Sequence, residues 1–302
     1  MIVRPRPGIL ELFSIVRLSM LPRIAPQLIA NILFSFLVVA IEHLRPIAFS
    51  GWTVAPFTLL GIALSIFLGF RNNACYDRWW EARRQLGALV SEMRSFARVL
   101  VTLPSADLAR RRTMVLAAID YTYAVMKHLH GTPMRADTDP LAAIAPGRPL
   151  VHNIPDAILR DIATAYGAML TEGEIGEQIY RILDDHLSNM TTLQAACERI
   201  RGTPTPFGYT LLIHRIAYVF CFLLPFSLAN SLGYATPIFC AMVSYAFFGL
   251  DALGDQLEEP FGSSLNALPL QALAKTIEIN LLEALGESNL PAPPLPVDSV
   301  LV

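Results

Sequence analysis

From Pro46 to Phe70 the chain carries no charged residue, and then Arg71, Asp77, Arg78, Glu81, Arg83 and Arg84 follow with no Gly-Pro break between. An apolar run that passes uninterrupted into a charged one reads as a single helix leaving a bilayer and continuing into water. Within it Ile62, Ile66 and Phe70 recur every four residues, so they stack along one helix face. A lone helix in lipid gains nothing from such a stripe. Several copies around an axis would turn it into a ring of apolar side chains, a design by which pores gate. Packing against a neighbouring helix accounts for the same periodicity. Gly61, Ala63, Ser65 and Gly69 interleave with the stripe, and small residues allow helices to approach closely.

Two more apolar runs complete the pattern. Ile24 to Ile41 is uncharged and follows Arg4, Arg6, Arg17 and Arg23. At about 1.5 Å per residue it suffices for a first span of a core about 30 Å thick. The connection Glu42 to Trp52 carries only Arg45 as a firm positive charge, so the positive-inside rule puts the N-terminus and the end of the second span in the cytoplasm. Ile216 to Leu250 is again uncharged, too long for one span of about 20 residues and too short for two plus a loop. Gly233 and Pro237, near Asn230 and Ser231, predict a hairpin in its middle. Each arm then extends past a charge, Arg215 with His214 at one end and Asp251 at the other. Counted outward from Gly233, Arg215 and Asp251 fall at the same depth. Either they pair at the cytoplasmic rim or they snorkel to the headgroups.

Composition points the same way. Hydrophobic residues make up 54% and charged residues 16%, against a usual charged share of roughly 25%, with a mean hydropathy of +0.47. That is a polytopic membrane protein rather than a soluble domain. The net charge of -2 and the lack of a basic tract give no reason to expect a nucleic-acid partner. Cys75, Cys197, Cys221 and Cys240 are scattered without a CxxC pair, which predicts neither a disulfide framework nor a zinc site. Met1 to Gly8 lacks a small-residue cleavage site and does not read as a cleavable signal peptide. His128 and His130 point to different sides of a helix, and His43, His152, His186 and His214 are isolated. With no HExxH, P-loop, GxGxxG or GxSxG, the expectation is no enzyme, no metal and no cofactor.

The stretch from Glu81 to Pro206 mixes charges with apolar residues at helical spacing, as in Leu86, Leu89, Val90, Met93, Phe96 and Leu100. Pro133 to Pro155 reads as a connecting loop. Leu270, Leu273 and Ile277 mark a further amphipathic helix, and Leu290 to Val302, with four prolines, a mobile end. The fold class is therefore all-α with four spans. Residues 1–80 form the N-terminal segment and spans one and two, 81–207 a cytoplasmic helical region, 208–254 the hairpin of spans three and four, and 255–302 a cytoplasmic C-terminal segment with its Pro-rich tail.

The segment FLGFRNNACYDRWWEAR resembles the signature of the bestrophins, which form pentameric ion channels. CERIRGTPTPFGYTLLIHRIAYVFCFLLPF and LPLQALAKTIEINLL resemble the bacterial branch, and together these matches cover most of the chain. The resemblance implies a homopentamer in the inner (plasma) membrane, multi-pass with both termini cytoplasmic, whose second span lines the pore. Ile62, Ile66 and Phe70 match the narrow hydrophobic neck. Asn72 and Asn73 come just beyond it and either line a vestibule or cap and pack. Trp79 and Trp80 read as interfacial anchors. A second constriction at the cytoplasmic exit would fall near Glu174 to Asp184, where Ile175, Gln178 and Ile182 share a helical face, with Gln178 nearest the axis.

Glu258-Glu259-Pro260-Phe261-Gly262 resembles the start of the calcium clasp of animal bestrophins, in which an aspartate run follows. Here Ser263, Ser264, Leu265 and Asn266 follow instead. Calcium takes about six to eight oxygen ligands, so no calcium gating is expected. Animal members conduct anions, which names chloride as the permeant ion. A bacterial relative passes monovalent cations, which makes sodium the rival. Asp77 and Glu81 would favour cations, and Arg71, Arg78, Arg83 and Arg84 the reverse. A non-conducting membrane scaffold would not need the neck stripe.

Overall fold

The computed structural model describes residues 1–4, 8, 11, 14–45, 51–103, 107–131 and 152–301. Its long helices are α1 (Leu21–Leu44), α2 (Val54–Thr102), α3 (Leu108–His130), α4 (Ile154–Thr171), α5 (Glu177–Gly202), α6 (Phe207–Leu232), α7 (Thr236–Glu258) and α8 (Leu270–Ala284). Among the described residues, extended pairing is confined to the isolated bridges Ile2–Val300 and Val297–Val300. The protein is thus nearly all-helical. Most of the loop expected at Pro133–Pro155 lies outside the described residues. Asp107 starts α3 by accepting a hydrogen bond from the Ala109 N–H, and Asn153 starts α4 by accepting one from Asp156.

Leu21–Leu44, Val54–Thr102 and Phe207–Glu258 are long and apolar enough to cross a membrane. The last is two helices, α6 and α7, divided by a short 3-10 turn at Gly233–Ala235. Gly233 has φ +50, a left-handed conformation that side chains with a Cβ rarely adopt, which is why the chain turns at this residue. Apolar pattern alone could not have ended α6 here, because the run continues through the turn.

The chain forms two compact units: Arg4–Trp79 with Pro204–Glu259, and Met1–Val3 with Trp80–Thr203 and Pro260–Val302. Helix α2 supplies its first part to one and its remainder to the other. In the first unit α1, α6 and α7 pack on one another around Ile24, Phe220, Cys221, Leu224 and Phe248, and Leu64 of α2 joins this cluster.

Apolar packing is poorly directional in lipid, and a buried polar network supplies direction. Pro225 has no N–H, so the carbonyl of Cys221 one turn earlier loses its helical donor. Asn31 Nδ2 fills that vacancy at 2.8 Å, and Asn31 Oδ1 accepts from Ser244 Oγ at 3.0 Å. One fully buried asparagine thereby ties α1 to both α6 and α7. Replacing it by leucine (Asn31→Leu) is expected to cost about 1–2 kcal/mol, read as a lower thermal midpoint in detergent. An unchanged midpoint would mean that apolar packing alone fixes the three helices.

In the second unit the later turns of α2 bury Leu86, Leu89, Met93, Phe96 and Leu100 at three- and four-residue spacing, the face the sequence marks as apolar, while Val90 is half-buried. Helix α3 packs on α4, α5 and α8. Tyr121 donates to the Met190 carbonyl at 3.1 Å and Tyr123 to Glu278 at 2.6 Å. Burial, with Glu198 and Glu81 nearby, pushes the Cys197 thiol up to about 12, so it stays protonated and inert. The C-terminal stretch, expected as a mobile end, is tied down past its prolines. Val3 N–H donates to Ser299 and Leu301 N–H to Met1, each at 2.8 Å. Residues 297–301 carry no proline and so have the N–H groups this pairing needs.

Candidate ion pathway

Helix α2 presents two different faces to its surroundings. Leu64, Leu68, Arg71 and Cys75 are buried, whereas Ile62, Ile66 and Phe70 are 55%, 51% and 63% exposed. The apolar stripe is therefore turned away from the rest of its own chain, although these are large apolar side chains on a helix with a buried side available. Asn73 and Asp77 continue it, both exposed. Asn72, expected beside them, is half-buried instead. A Cβ on Gly254 of α7 would come within 2.6 Å of its Oδ1, so Asn72 sits against α7.

The same closeness admits Arg71. A Cβ on Gly254 would lie 3.0 Å from Arg71 Nη1, so glycine is what lets the guanidinium reach along α7. Arg71 Nη1 meets Asp251 at 2.9 Å, and Nη2 meets Asp255 at 2.7 Å and Glu258 at 3.4 Å. These three carboxylates stand four and three residues apart, on one face of α7. His214 Nδ1 is hydrogen-bonded to Asp251 Oδ2, and its Nε2 lies 3.5 Å from Asp255. Arg23 reaches Asp255 at 3.4 Å. Glu258 also accepts from the Thr205 N–H at 3.1 Å and from the Thr205 hydroxyl. Arg71 is fully buried, and only such a fork can satisfy several carboxylates at once.

The expected Arg215–Asp251 pair does not form. Counting outward from the turn gives their distance from it but not the way each side chain points, and one residue of helix is a rotation of about 100°. His214, not Arg215, faces α7, and Arg215 is exposed. In sequence, Arg71 looks like a flanking charge and His214 stands isolated. The signal that could have found them was the acidic spacing Asp251, Asp255, Glu258, one stripe in need of a buried cation.

At the expected second constriction, helix α5 begins at Glu177. Ile175 precedes it and is buried in the turn, where its N–H bonds the Met169 carbonyl, so it does not share a face with the other two. Gln178 and Ile182 are exposed, one turn apart on α5. Ligand atoms of His214, Asp251 and Asp255 lie within 4.8 Å of one another, a donor set of the kind that holds a divalent metal. Its carboxylates already face Arg71 and Arg23.

Residues 1–283 match the family model described as bacterial/fungal bestrophin protein. This chain belongs to the bacterial/fungal bestrophin family. Among similar proteins, a voltage-dependent anion channel-forming protein of Mesorhizobium japonicum is 43% identical over 292 residues, 95% of this chain and 93% of that protein. The voltage-dependent anion channel-forming protein YneE of Escherichia coli is 38% identical over 304 residues, 98% of each. The crystal structure of a bacterial bestrophin homolog from Klebsiella pneumoniae superposes with a TM-score of 0.80 at 34% identity, covering 88% of this chain and all of that one. The nearly all-helical architecture described above is the bestrophin fold, and the chain is a membrane protein.

Proposed function

We propose that this bestrophin is a homopentameric ion channel of the bacterial inner membrane, passing small monovalent ions through a neck built from Ile62, Ile66 and Phe70. The observation that carries the reading is the exposure of those three side chains on a helix whose opposite face is buried. Four crossings per subunit, made by α1, the first part of α2, α6 and α7, would leave both termini in the cytoplasm. Gln178 and Ile182 of α5 are assigned to the cytoplasmic aperture. Partners are four further copies of the chain and the lipid bilayer. Chloride is favoured by the relatives, which are named as anion channel-forming proteins.

One observation favours the rival, a channel for sodium or other monovalent cations. Of the basic residues that follow the neck, Arg71 is buried among carboxylates, and Arg78 Nε donates to the Glu258 carbonyl at 2.7 Å. Both are thereby withdrawn from an ion path that anions would need them to line.

The test is a cysteine at Ile66, in protein reconstituted in planar bilayers. Ile66→Cys is expected to run as a pentamer in detergent and to lose current when a bulky thiol reagent reaches the neck. The four native cysteines are buried, so the protein without this substitution is the control. A monomer, or current untouched by the reagent, would leave a non-conducting scaffold or a path elsewhere.

A further inference from the structure

We infer that Asp77 biases the path toward cations: five copies form a carboxylate ring beyond the neck that attracts cations and repels anions. This rests on the channel reading above and deepens it. Seven residues of helix fall about 20° short of two full turns, so Asp77 lies almost directly below Phe70, about 10 Å along α2. Asn73 stands between them on the same exposed face. The stripe that carries the apolar neck thus turns from hydrocarbon to amide to carboxylate in two turns.

Neighbouring charges decide what Asp77 does. Among the described residues it makes no ion pair or hydrogen bond, although arginine stands next to it in sequence. Arg78 is turned toward the Glu258 carbonyl, and Arg71 is occupied by Asp251, Asp255 and Glu258. Glu81, the other acidic residue beyond the neck, is held by Arg199 at 2.6 Å. By helical register the next basic side chain of the stripe, Arg84, comes a further seven residues along, twice as far from Phe70. The nearest uncompensated charge to the neck is therefore negative. Repeated around a narrow water-filled passage with low-dielectric walls, such a charge raises the local concentration of counter-ions.

The experiment reads reversal potentials under a salt gradient with purified protein in planar bilayers, for Asp77→Asn and Asp77→Lys. Both are made also in the Phe70→Ala background, where a wider neck keeps the current measurable. Asparagine keeps the shape and removes the charge. A fall of about tenfold in the cation-to-anion permeability ratio is expected for Asp77→Asn, and a larger one for Asp77→Lys. This direction holds whichever ion the unaltered channel prefers. If current flows and neither substitution moves the ratio, the inference is wrong while the channel reading stands. If unaltered protein and Phe70→Ala are both silent, the channel reading falls and the ring with it.

Discussion

Phe70→Ala should raise single-channel current about tenfold, the change that a barrier lowered by about 1.4 kcal/mol produces. The residue is 63% exposed on the single chain, so truncation removes little packing within it. In a ring of five it would remove five phenyl groups from the narrowest, driest part of the path. An ion crossing a hydrophobic constriction gives up hydration that apolar walls cannot replace, and widening the ring returns water to it. Ile66→Ala should act in the same direction and less strongly. The control lies on the other side of the helix. Leu64 and Leu68 are buried, and cutting either to alanine should cost about 2–5 kcal/mol of stability without raising current. Should all four substitutions lower the thermal midpoint alike and leave conductance unchanged, the exposed stripe is a packing surface for another helix.

This contrast marks what was legible in the chain. The four-residue recurrence of Ile62, Ile66 and Phe70 is visible without coordinates because an amphipathic face is a property of sequence and helical pitch alone. The turn at Gly233 is legible for a similar reason, since a positive φ in an apolar run asks for glycine. Rotation between neighbouring helices is not of this kind. Arg215 and His214 are adjacent in sequence and equal in depth, yet only His214 faces Asp251. Nothing in the spacing says which way α6 turns toward α7. Ile175 falls off the shared face because the helix starts two residues later, at Glu177, with Gly176 as its N-cap. Arg71 was hidden by a rule that usually works, that arginine after an apolar run reaches for headgroups. Here glycine at position 254 opened an inward route instead.

That inward route makes Arg71→Met the substitution with the largest expected cost to stability. Methionine has a comparable apolar stem and leaves no large void, so the loss isolates the charge. Without the guanidinium, Asp251, Asp255 and Glu258 face one another with His214, Arg23 and Thr205 as their remaining partners. Breaking a buried ion pair by removing one member typically costs about 3–5 kcal/mol, because the stranded charge has no water to return to. Thermal unfolding in detergent should show this as the largest fall of any single substitution considered. Arg71→Lys should recover only part of it, since one ammonium cannot span carboxylates that a fork bridges with two nitrogens. Joint neutralisation, Arg71→Met with Asp251→Asn and Asp255→Asn, should restore more than lysine does, because it removes the repulsion instead of rebuilding the bridge. That ordering separates charge from shape. If Arg71→Met is no less stable than the unaltered protein, the cluster does not hold α2 against α7, and the orientation of Phe70 one residue away must be fixed by the apolar contacts of Leu64 and Leu68 alone.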